Sequence, residues 1–199
     1  MSLKYRLILA SASPRRKELL TQIGAEFEII PAVGEEVIVS AKPKQAVLDL
    51  SRQKAEEVAR KFYQEAGNIV ILAADTIVAF DGEILGKPKD PEDAKRMLGM
   101  LSGREHSVFT GVTMVVKASG SEKIISLYEE TKVFMYPMTE KQIQAYIETG
   151  EPMDKAGAYG IQGKCAVYIE KIVGDYNNVV GLPVAAIFQK LEKSGIEIL

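Results

Sequence analysis

The sequence feature that most limits the possible folds is the continuous apolar run Ile69–Ala74, which lies between Gly67-Asn68 and Asp75. An unbroken apolar run of this length, bounded by turn-forming and acidic residues, predicts a strand buried on both faces of an α/β sheet. Thr76–Phe80 extends the strand to a hairpin turn at Asp81-Gly82. Asp75 directly follows the apolar run, at the expected carboxyl end of this core strand. Because ligands bind at that end of strands in open α/β sheets, Asp75 is a candidate functional residue. The alternative is that its carboxylate only caps the local backbone.

Strands and helices alternate along the chain, which predicts an α/β fold with a mixed sheet. The predicted strands are Tyr5–Ala10, Phe27–Pro31, Ile69–Phe80, Glu83–Leu85, Ser107–Val116, Lys123–Tyr136 and Ala166–Ile172. The predicted helices run from Pro14 to about Ile23, from near Pro43 to before Gly67, from Pro91 to Leu101, from Thr139 to about Glu148 and from about Val184 to Lys193. Two helices have clear start signals, namely Asp90 before Pro91 and the capping box of Thr139 and Gln142.

The composition is that of a globular protein without a general nucleic-acid-binding surface. The chain has 199 residues, enough for one domain or two closely joined lobes, and a formal net charge of −2. Cys165 and His106 are the single residues of their types, which excludes an internal disulfide and a multi-histidine metal site. We interpret Cys165 as a small apolar core residue and His106 as a loop or strand-entry residue. The sequence contains neither an apolar run of membrane-spanning length nor a signal peptide, which predicts a cytoplasmic protein.

The first predicted strand turns into a helix that carries two arginines on its first turn. Ser13 is the expected N-cap and Pro14 suits the first helical position. This places Arg15 and Arg16 at the positive end of the helix dipole, where cations are disfavoured. A phosphate at this helix N-terminus would resolve the conflict, because backbone N–H groups, serine hydroxyls and guanidinium groups all donate to it. The alternative is that both arginines are solvated or paired with nearby acidic residues.

Further charged residues are candidates for an anion or metal site. Lys54 falls within the apolar stripe of its helix, so its side chain either extends outward to water or reaches into a cleft to meet an anion. Pro88 holds Lys87 in an extended conformation, which restricts where its ammonium group can point. The alternative is that Lys87 is a solvated turn lysine. Glu35-Glu36 lies in a loop after a strand, where most acidic pairs are simply solvated. With Asp75, however, these oxygens would suit Mg²⁺, which binds one or two carboxylates plus substrate phosphate oxygens.

The segment Asp154–Gly163 is rich in glycine and carries one amide side chain, Gln162. Glycines at regular intervals of about three residues allow a ligand to approach the backbone closely, and Gln162 can both donate to and accept from the edge of a base. The chain contains neither a Walker phosphate loop nor a dinucleotide fingerprint. Taken alone, the segment is equally typical of an ordinary glycine loop.

Together these motifs resemble the Maf-like nucleotide pyrophosphatase family, from about Leu7 to Pro183. The matching segments are Ala10-Ser11-Ala12-Ser13-Pro14-Arg15-Arg16, Ala74-Asp75-Thr76-Ile77-Val78, Gly86-Lys87-Pro88, Leu101-Ser102-Gly103, Asp154–Gly163 and Asn178-Val179-Val180-Gly181-Leu182-Pro183. The resemblance implies one domain over residues 1–199, with a twisted mixed sheet flanked by helices and two lobes around a cleft, as in inosine triphosphatase-like folds. It also implies a metal-dependent hydrolase of the branch that converts dTTP and UTP to the monophosphate and pyrophosphate, with a possible housecleaning role on non-standard nucleotides.

The resemblance further implies roles for individual residues. Asp75 matches the position of the catalytic proton acceptor, and Arg15, Thr76 and Gln162 match positions associated with substrate choice. The other polar positions around the family's cleft correspond to Ser13, Arg16, Glu36, Lys54, Lys87 and Lys155. We expect Glu36 and Asp75 to hold a divalent cation, Mg²⁺ or Mn²⁺, and the other residues to bind the substrate.

The expected partner is a nucleoside triphosphate, without nucleic acid or membrane, and a homodimer is left open. One alternative function is a nucleotide-binding regulator of cell division or septum formation without catalysis, which the family's history suggests. Another is a nucleic-acid-binding module, which would need an extended basic face. Release of pyrophosphate separates the hydrolase from the regulator, and a steep salt dependence of RNA or DNA binding would favour the module.

Overall fold

The computed structural model describes residues 5–37, 40–65, 67–118 and 120–199, and its strands and helices alternate along the chain. The strands are β1 Arg6–Leu9, β2 Phe27–Ile29, β3 Ile69–Phe80, β4 Glu83–Leu85, β5 Glu105–Ala118, β6 Ser121–Met135 and β7 Ile169–Val173. The helices are α1 Pro14–Gln22, α2 Pro43–Arg60, α3 Pro91–Leu101, α4 Glu140–Ile147, α5 Tyr176–Val180 and α6 Val184–Glu192. Short 3₁₀ helices span Glu151–Asp154, Ala156–Ala158 and Lys164–Tyr168.

The strands form one mixed sheet, which confirms the predicted fold class. Their order is β2-β1-β3-β5-β6-β7, with β4 paired to β3. β1 is parallel to β2 and β3, whereas β4 is antiparallel to β3 and β7 is antiparallel to β6. The central position of β3 is also confirmed, because this strand has β1 on one side and β5 on the other. Its residues up to Asp75 are buried, as expected for an inner strand.

The chain divides into two compact units. Unit 1 comprises Met1–Asp75, Thr110–Tyr128 and Gly181–Leu199, and unit 2 comprises Thr76–Phe109 and Glu129–Val180. The assignment of residues 1–199 to one domain stays a prediction. None of the helices in the described part of the chain is both long enough and apolar enough to cross a membrane.

The core of unit 1 forms where α2 covers the parallel strands. Val58 on the helix packs with Ile8 of β1 and Ile71 of β3, and all three side chains are fully buried. The helix ends at Arg60, before Gly67 as predicted, because the backbone N–H groups after it bond three residues back instead of four. This tighter pattern ends the α-helix in a series of turns.

The core of unit 2 includes α3 and α4, which pack against each other. Both helices start at the predicted caps. The side chain of Asp90 accepts a 2.8 Å hydrogen bond from the N–H of Asp93. The hydroxyl of Thr139 accepts from the N–H of Gln142 over 3.3 Å, and the Gln142 side chain accepts from the N–H of Thr139 over 2.8 Å. These bonds satisfy backbone donors that have no partner within the helix.

The structure differs from the predicted elements mainly near the end of unit 2. β7 begins at Ile169 and not at Ala166, because Lys164–Tyr168 forms a 3₁₀ helix. The turn is closed by a 3.0 Å bond from the N–H of Ala166 to the carbonyl of Gly163. Helix α5 is an additional element that the sequence pattern did not predict. Cys165 is fully buried in the core of this unit, as predicted.

Candidate active site

Asp75 lies within β3 at the last position of a unit 1 segment, and its carboxylate contacts a lysine of α2. The Nζ of Lys54 donates to Oδ1 of Asp75 over 2.6 Å and lies 2.9 Å from Oε1 of Glu36. The Lys54 side chain is only 15% exposed, so it reaches inward and does not extend to water. Its ammonium group therefore joins two carboxylates of the protein itself.

The loop that carries Glu36 is attached to α2 by side-chain hydrogen bonds. Glu57 accepts from the two backbone N–H groups of Val33-Gly34 over 2.9 and 3.0 Å, and these donors lower the pKa of its carboxyl group. Gln53 accepts from the N–H of Val37 over 3.2 Å and donates to its carbonyl over 2.9 Å. The same helix therefore positions both the lysine and the loop that brings a second carboxylate to it.

The carboxyl group of Asp75 has a pKa above its ordinary value. Burial is the main cause, because the residue is only 7% exposed and a buried carboxylate loses its hydration. The positive charges of Lys54 and Arg16 oppose this shift, and the negative charge of Glu36 adds to it. A carboxylate with a raised pKa is a better proton acceptor near neutral pH than an ordinary aspartate.

Arg16 is half-buried on the first turn of α1 and bonds to neighbouring oxygens of unit 1. Its Nη1 donates to Oγ of Ser11 over 3.0 Å and its Nε donates to the carbonyl of Gly181 over 2.9 Å. Burial lowers the pKa of Arg16, although a guanidinium group stays charged in proteins. Ser13 is the N-cap, but its side chain makes no capping bond, and its N–H donates to Ser11 over 3.3 Å. Arg15 is half-buried on the same turn.

The unit 1 cluster of Asp75, Glu36 and Lys54 fits the chemistry of a divalent-cation site. The ammonium group of Lys54 shows that one positive charge can contact both carboxylates at once. Mg²⁺ in nucleotide enzymes typically takes one or two carboxylates and completes its shell with phosphate oxygens and water. Among the residues that the structure describes, there is no group of three or more acidic, histidine or cysteine residues that could hold a metal alone. A cation here would therefore depend on substrate oxygens.

The other predicted site residues lie in unit 2: Thr76, Lys87, Lys155 and Gln162. Thr76 follows Asp75 in β3 and is half-buried, whereas Lys87 and Gln162 are exposed. The N–H of Gly157 donates to the carbonyl of Gly86 over 3.0 Å, so the lysine turn and the glycine-rich segment are joined. The Nζ of Lys155 donates to Oδ1 of Asp154 over 2.6 Å and to the carbonyl of Glu151 over 2.8 Å.

Two polar pairs in unit 2 were missed by the sequence analysis. His106 is the second residue of β5 and is buried, with its Nε2 2.7 Å from the hydroxyl of Tyr159. Tyr146 of α4 donates from its hydroxyl to Oε1 of Glu151 over 2.8 Å. His106 and Tyr159 are distant from each other in the sequence. In the sequence, Tyr146 looks like an ordinary core tyrosine and Glu151 like a solvated glutamate. Neither pair has a sequence signal that would identify it.

Comparison with known proteins identifies the family. The model of the family described as Maf-like protein matches residues 6–194. The chain belongs to the Maf-like family. This Maf-like match contains all of the candidate site residues, from Ser13 to Gln162.

Curated relatives of this Maf-like chain are similar over almost their whole length. A protein from Agathobacter rectalis named dTTP/UTP pyrophosphatase is 56% identical, covering 97% of this chain and 99% of the relative. A protein of the same name from Carboxydothermus hydrogenoformans is 53% identical, covering 96% and 99%. Among solved structures, a nucleoside-triphosphatase (dITP/XTP pyrophosphatase) from Mycobacterium abscessus is similar at 13% identity, with a TM-score of 0.36 over 65% of this chain and 72% of that one.

Proposed function

We propose that this Maf-like chain hydrolyses dTTP and UTP to the nucleoside monophosphate and pyrophosphate. The main support is the buried carboxylate of Asp75, which has a raised pKa and is hydrogen-bonded to Lys54. Relatives with more than half of their residues identical are named dTTP/UTP pyrophosphatase. Together these observations favour a hydrolase with an aspartate base.

In the proposed mechanism, Asp75 accepts a proton from a water molecule that attacks the α-phosphorus. A new bond forms between the water oxygen and the α-phosphorus, and the bond from this phosphorus to the bridging oxygen of the β-phosphate breaks. Pyrophosphate then leaves with the bridging oxygen. The hydrogen bond from Lys54 orients the carboxylate, and its charge keeps the carboxylate ionised before the proton is transferred.

Cationic and polar side chains bind the triphosphate in this proposal. Charge-assisted hydrogen bonds to phosphate contribute about 1.5–3 kcal/mol each, so a few of them suffice for useful binding. We assign this role to Ser13, Arg16, Lys54, Lys87 and Lys155. Arg15, Thr76 and Gln162 select the nucleotide, and Gln162 reads the pyrimidine edge.

Asp75 and Glu36 would hold a divalent cation, Mg²⁺ or Mn²⁺, together with substrate oxygens. Such a cation offsets phosphate charge and favours the departure of pyrophosphate. Isothermal titration of Mg²⁺ or Mn²⁺ in the presence of a non-hydrolysable UTP analogue tests this assignment, because Glu36→Gln should weaken cation binding.

The decisive test of the proposed function is the substitution Asp75→Asn, which keeps the shape of the side chain and removes its charge. Pyrophosphate release from UTP and dTTP should fall at least ~100-fold, the lower range for a positioned acid–base group. Asp81→Asn is the matched control, because Asp81 is exposed and its φ of +49° suits asparagine equally well. Near-normal turnover in Asp75→Asn would remove Asp75 from the chemistry. Nucleotide binding without pyrophosphate release by the unmodified protein would instead favour the non-catalytic regulator.

The assignment of Gln162 is tested by the ranking of substrates. Gln162→Ala should reduce the preference for UTP over CTP more than it weakens binding of the triphosphate. The measurement compares kcat/KM for the two nucleotides in the variant and the unmodified protein. An unchanged ranking would contradict the assignment.

We also expect the protein to act in the cytoplasm on free nucleotides, including non-standard ones, without nucleic acid or membrane. A panel of nucleoside triphosphates, assayed with Mg²⁺ and with Mn²⁺, measures this range. Sedimentation of the full chain reports whether it forms the homodimer that the family resemblance leaves open.

A further inference from the structure

The exposed side chain of Gln162 lies in a segment whose two ends bond to one pair of side chains. At one end, the N–H of Gly160 donates to the hydroxyl of Tyr146 over 3.2 Å. At the other end, the N–H of Lys164 donates to Oε2 of Glu151 over 3.0 Å. The hydroxyl of Tyr146 donates in turn to Oε1 of Glu151 over 2.8 Å. These two side chains, the Tyr146–Glu151 pair, therefore close a hydrogen-bonded bracket around residues 160–164.

A side chain at either of two glycine positions in the bracket would require neighbouring side chains to move. A Cβ atom at Gly163 would lie 2.0 Å from Oε1 of Glu151, and one at Gly160 would lie 2.6 Å from Cε of Lys155. Both distances are far below van der Waals contact. The glycines therefore let the segment lie directly against these side chains, and Gln162 remains as the exposed amide between them.

The Tyr146–Glu151 pair is anchored in the core of unit 2. Tyr146 is only 4% exposed and belongs to the apolar cluster that includes α3 and α4. Burial raises the pKa of Tyr146, so its hydroxyl keeps its proton and remains a donor to the carboxylate. A hydrogen bond to an ionised acceptor is stronger than one between neutral groups. The segment is thus connected through the hydroxyl of Tyr146 to α4.

We infer that the Tyr146–Glu151 pair is a positioning element for nucleotide selection, which holds Gln162 in the orientation that reads the pyrimidine. The inference rests on the proposed function, in which Gln162 contacts the base. Neither member of the pair touches substrate in this scheme. Their effect on substrate choice is transmitted through the backbone of residues 160–164.

The first test is Tyr146→Phe, which keeps the ring in the core and removes the hydroxyl. The ratio of kcat/KM for UTP over CTP should fall about 2- to 10-fold, the range for one net hydrogen bond. The kcat for UTP should change less than this ratio. Glu151→Gln is the second variant, because an amide keeps the volume but cannot accept at both of its terminal atoms. It should lower the ratio in the same direction.

A double-mutant cycle separates positioning from a general loss of stability. In a Gln162→Ala background, Tyr146→Phe should leave the UTP/CTP ratio unchanged, because the side chain that the pair positions is absent. Val133→Ala is the stability control, since Val133 is fully buried in the same core and lies outside the bracket. It should lower Tm and leave the ratio unchanged. A ratio that moves equally in Val133→Ala and Tyr146→Phe would overturn the inference.

Amide hydrogen exchange tests the bracket independently of catalysis. Tyr146→Phe should accelerate exchange in residues 160–164 at least several-fold, relative to Val133→Ala, by freeing the N–H of Gly160. If the unmodified protein releases no pyrophosphate from UTP or dTTP, the proposed function fails while the exchange result still reports on positioning. Unchanged exchange in Tyr146→Phe would overturn the inference whatever the enzyme assay shows.

Discussion

The stability of the protein in acid should depend strongly on its single histidine. His106 is 3% exposed, and burial lowers its pKa from 6.5 to about 4. The neighbouring Glu105 acts in the opposite direction but does not compensate for burial. Nε2 bonds to the hydroxyl of Tyr159, and Nδ1 has no hydrogen-bond partner among the described residues. The folded protein therefore holds a neutral imidazole that the unfolded chain would protonate more readily.

The sign and size of the effect follow from proton linkage. Above pH 6.5 the imidazole is neutral in both states, so its full contribution to stability is present. As the pH falls from 6.5 to about 4, the unfolded state binds a proton that the folded state does not, and the free energy of unfolding decreases. The interval between the two pKa values, at about 1.36 kcal/mol per pH unit, corresponds to a loss of about 3 kcal/mol.

The assay compares the unmodified protein with His106→Gln, which is polar but does not titrate. The free energy of unfolding, measured with urea at pH 7 and at pH 4, should fall by about 3 kcal/mol more in the unmodified protein than in the variant. Acidic residues titrate in both proteins, so their contribution cancels in this comparison. NMR of the single imidazole should give a midpoint near pH 4, and Tyr159→Phe should keep it low because burial is the main cause. A midpoint near 6.5, or equal losses of stability in the two proteins, would refute the reasoning.

Other substitutions test packing, capping and the charge cluster. Gly111→Ala should prevent folding or lower the free energy of unfolding by about 3 kcal/mol or more, because its Cβ would lie 2.3 Å from the carbonyl oxygen of Val47. Soluble yield and urea unfolding measure this effect. Asp90→Ala should lower the free energy of unfolding by about 1 kcal/mol, since the N-cap bond of α3 is lost, and an unchanged midpoint in urea would contradict this. Lys54→Met should raise the pKa of Asp75 further, so that the acid limb of the pH–rate profile moves to higher pH. Lys54→Arg should move the acid limb only part of this distance. A pH–rate profile that does not shift in Lys54→Met would argue against the electrostatic role of the lysine.

The fold was predictable from the sequence where local signals and apolar patterns agree. The run Ile69–Ala74 identified the central strand, and the caps at Asp90 and Thr139 fixed the starts of α3 and α4. The β7 boundary was wrong by three residues, because residues 166–168 were assigned to the strand but belong to the 3₁₀ helix Lys164–Tyr168. The N–H of Lys164 is engaged by Glu151, and no local pattern indicates this contact.

The residues of the candidate site stay a prediction, and their contacts could not be predicted from the sequence. Lys54 was marked as unusual because it lies on an apolar stripe, yet the sequence left open whether it meets water or an anion. The structure shows that it bonds to Asp75 and approaches Glu36, two residues that are distant from it and from each other along the chain. Such pairings depend on which loop the folded helix brings close. A single sequence carries no direct record of them.

The two units are completed in a different order from that in which they begin, because the last stretch of the chain belongs to unit 1. Unit 2 has all of its residues once Val180 has been made, whereas unit 1 still lacks Gly181–Leu199. The missing stretch contains α6, which buries Val184, Ile187 and Leu191. Domains usually fold from the amino-terminal end as they leave the ribosome. Here the unit that begins first is completed last, so a nascent chain stalled near residue 180 would expose the apolar surface that α6 later covers.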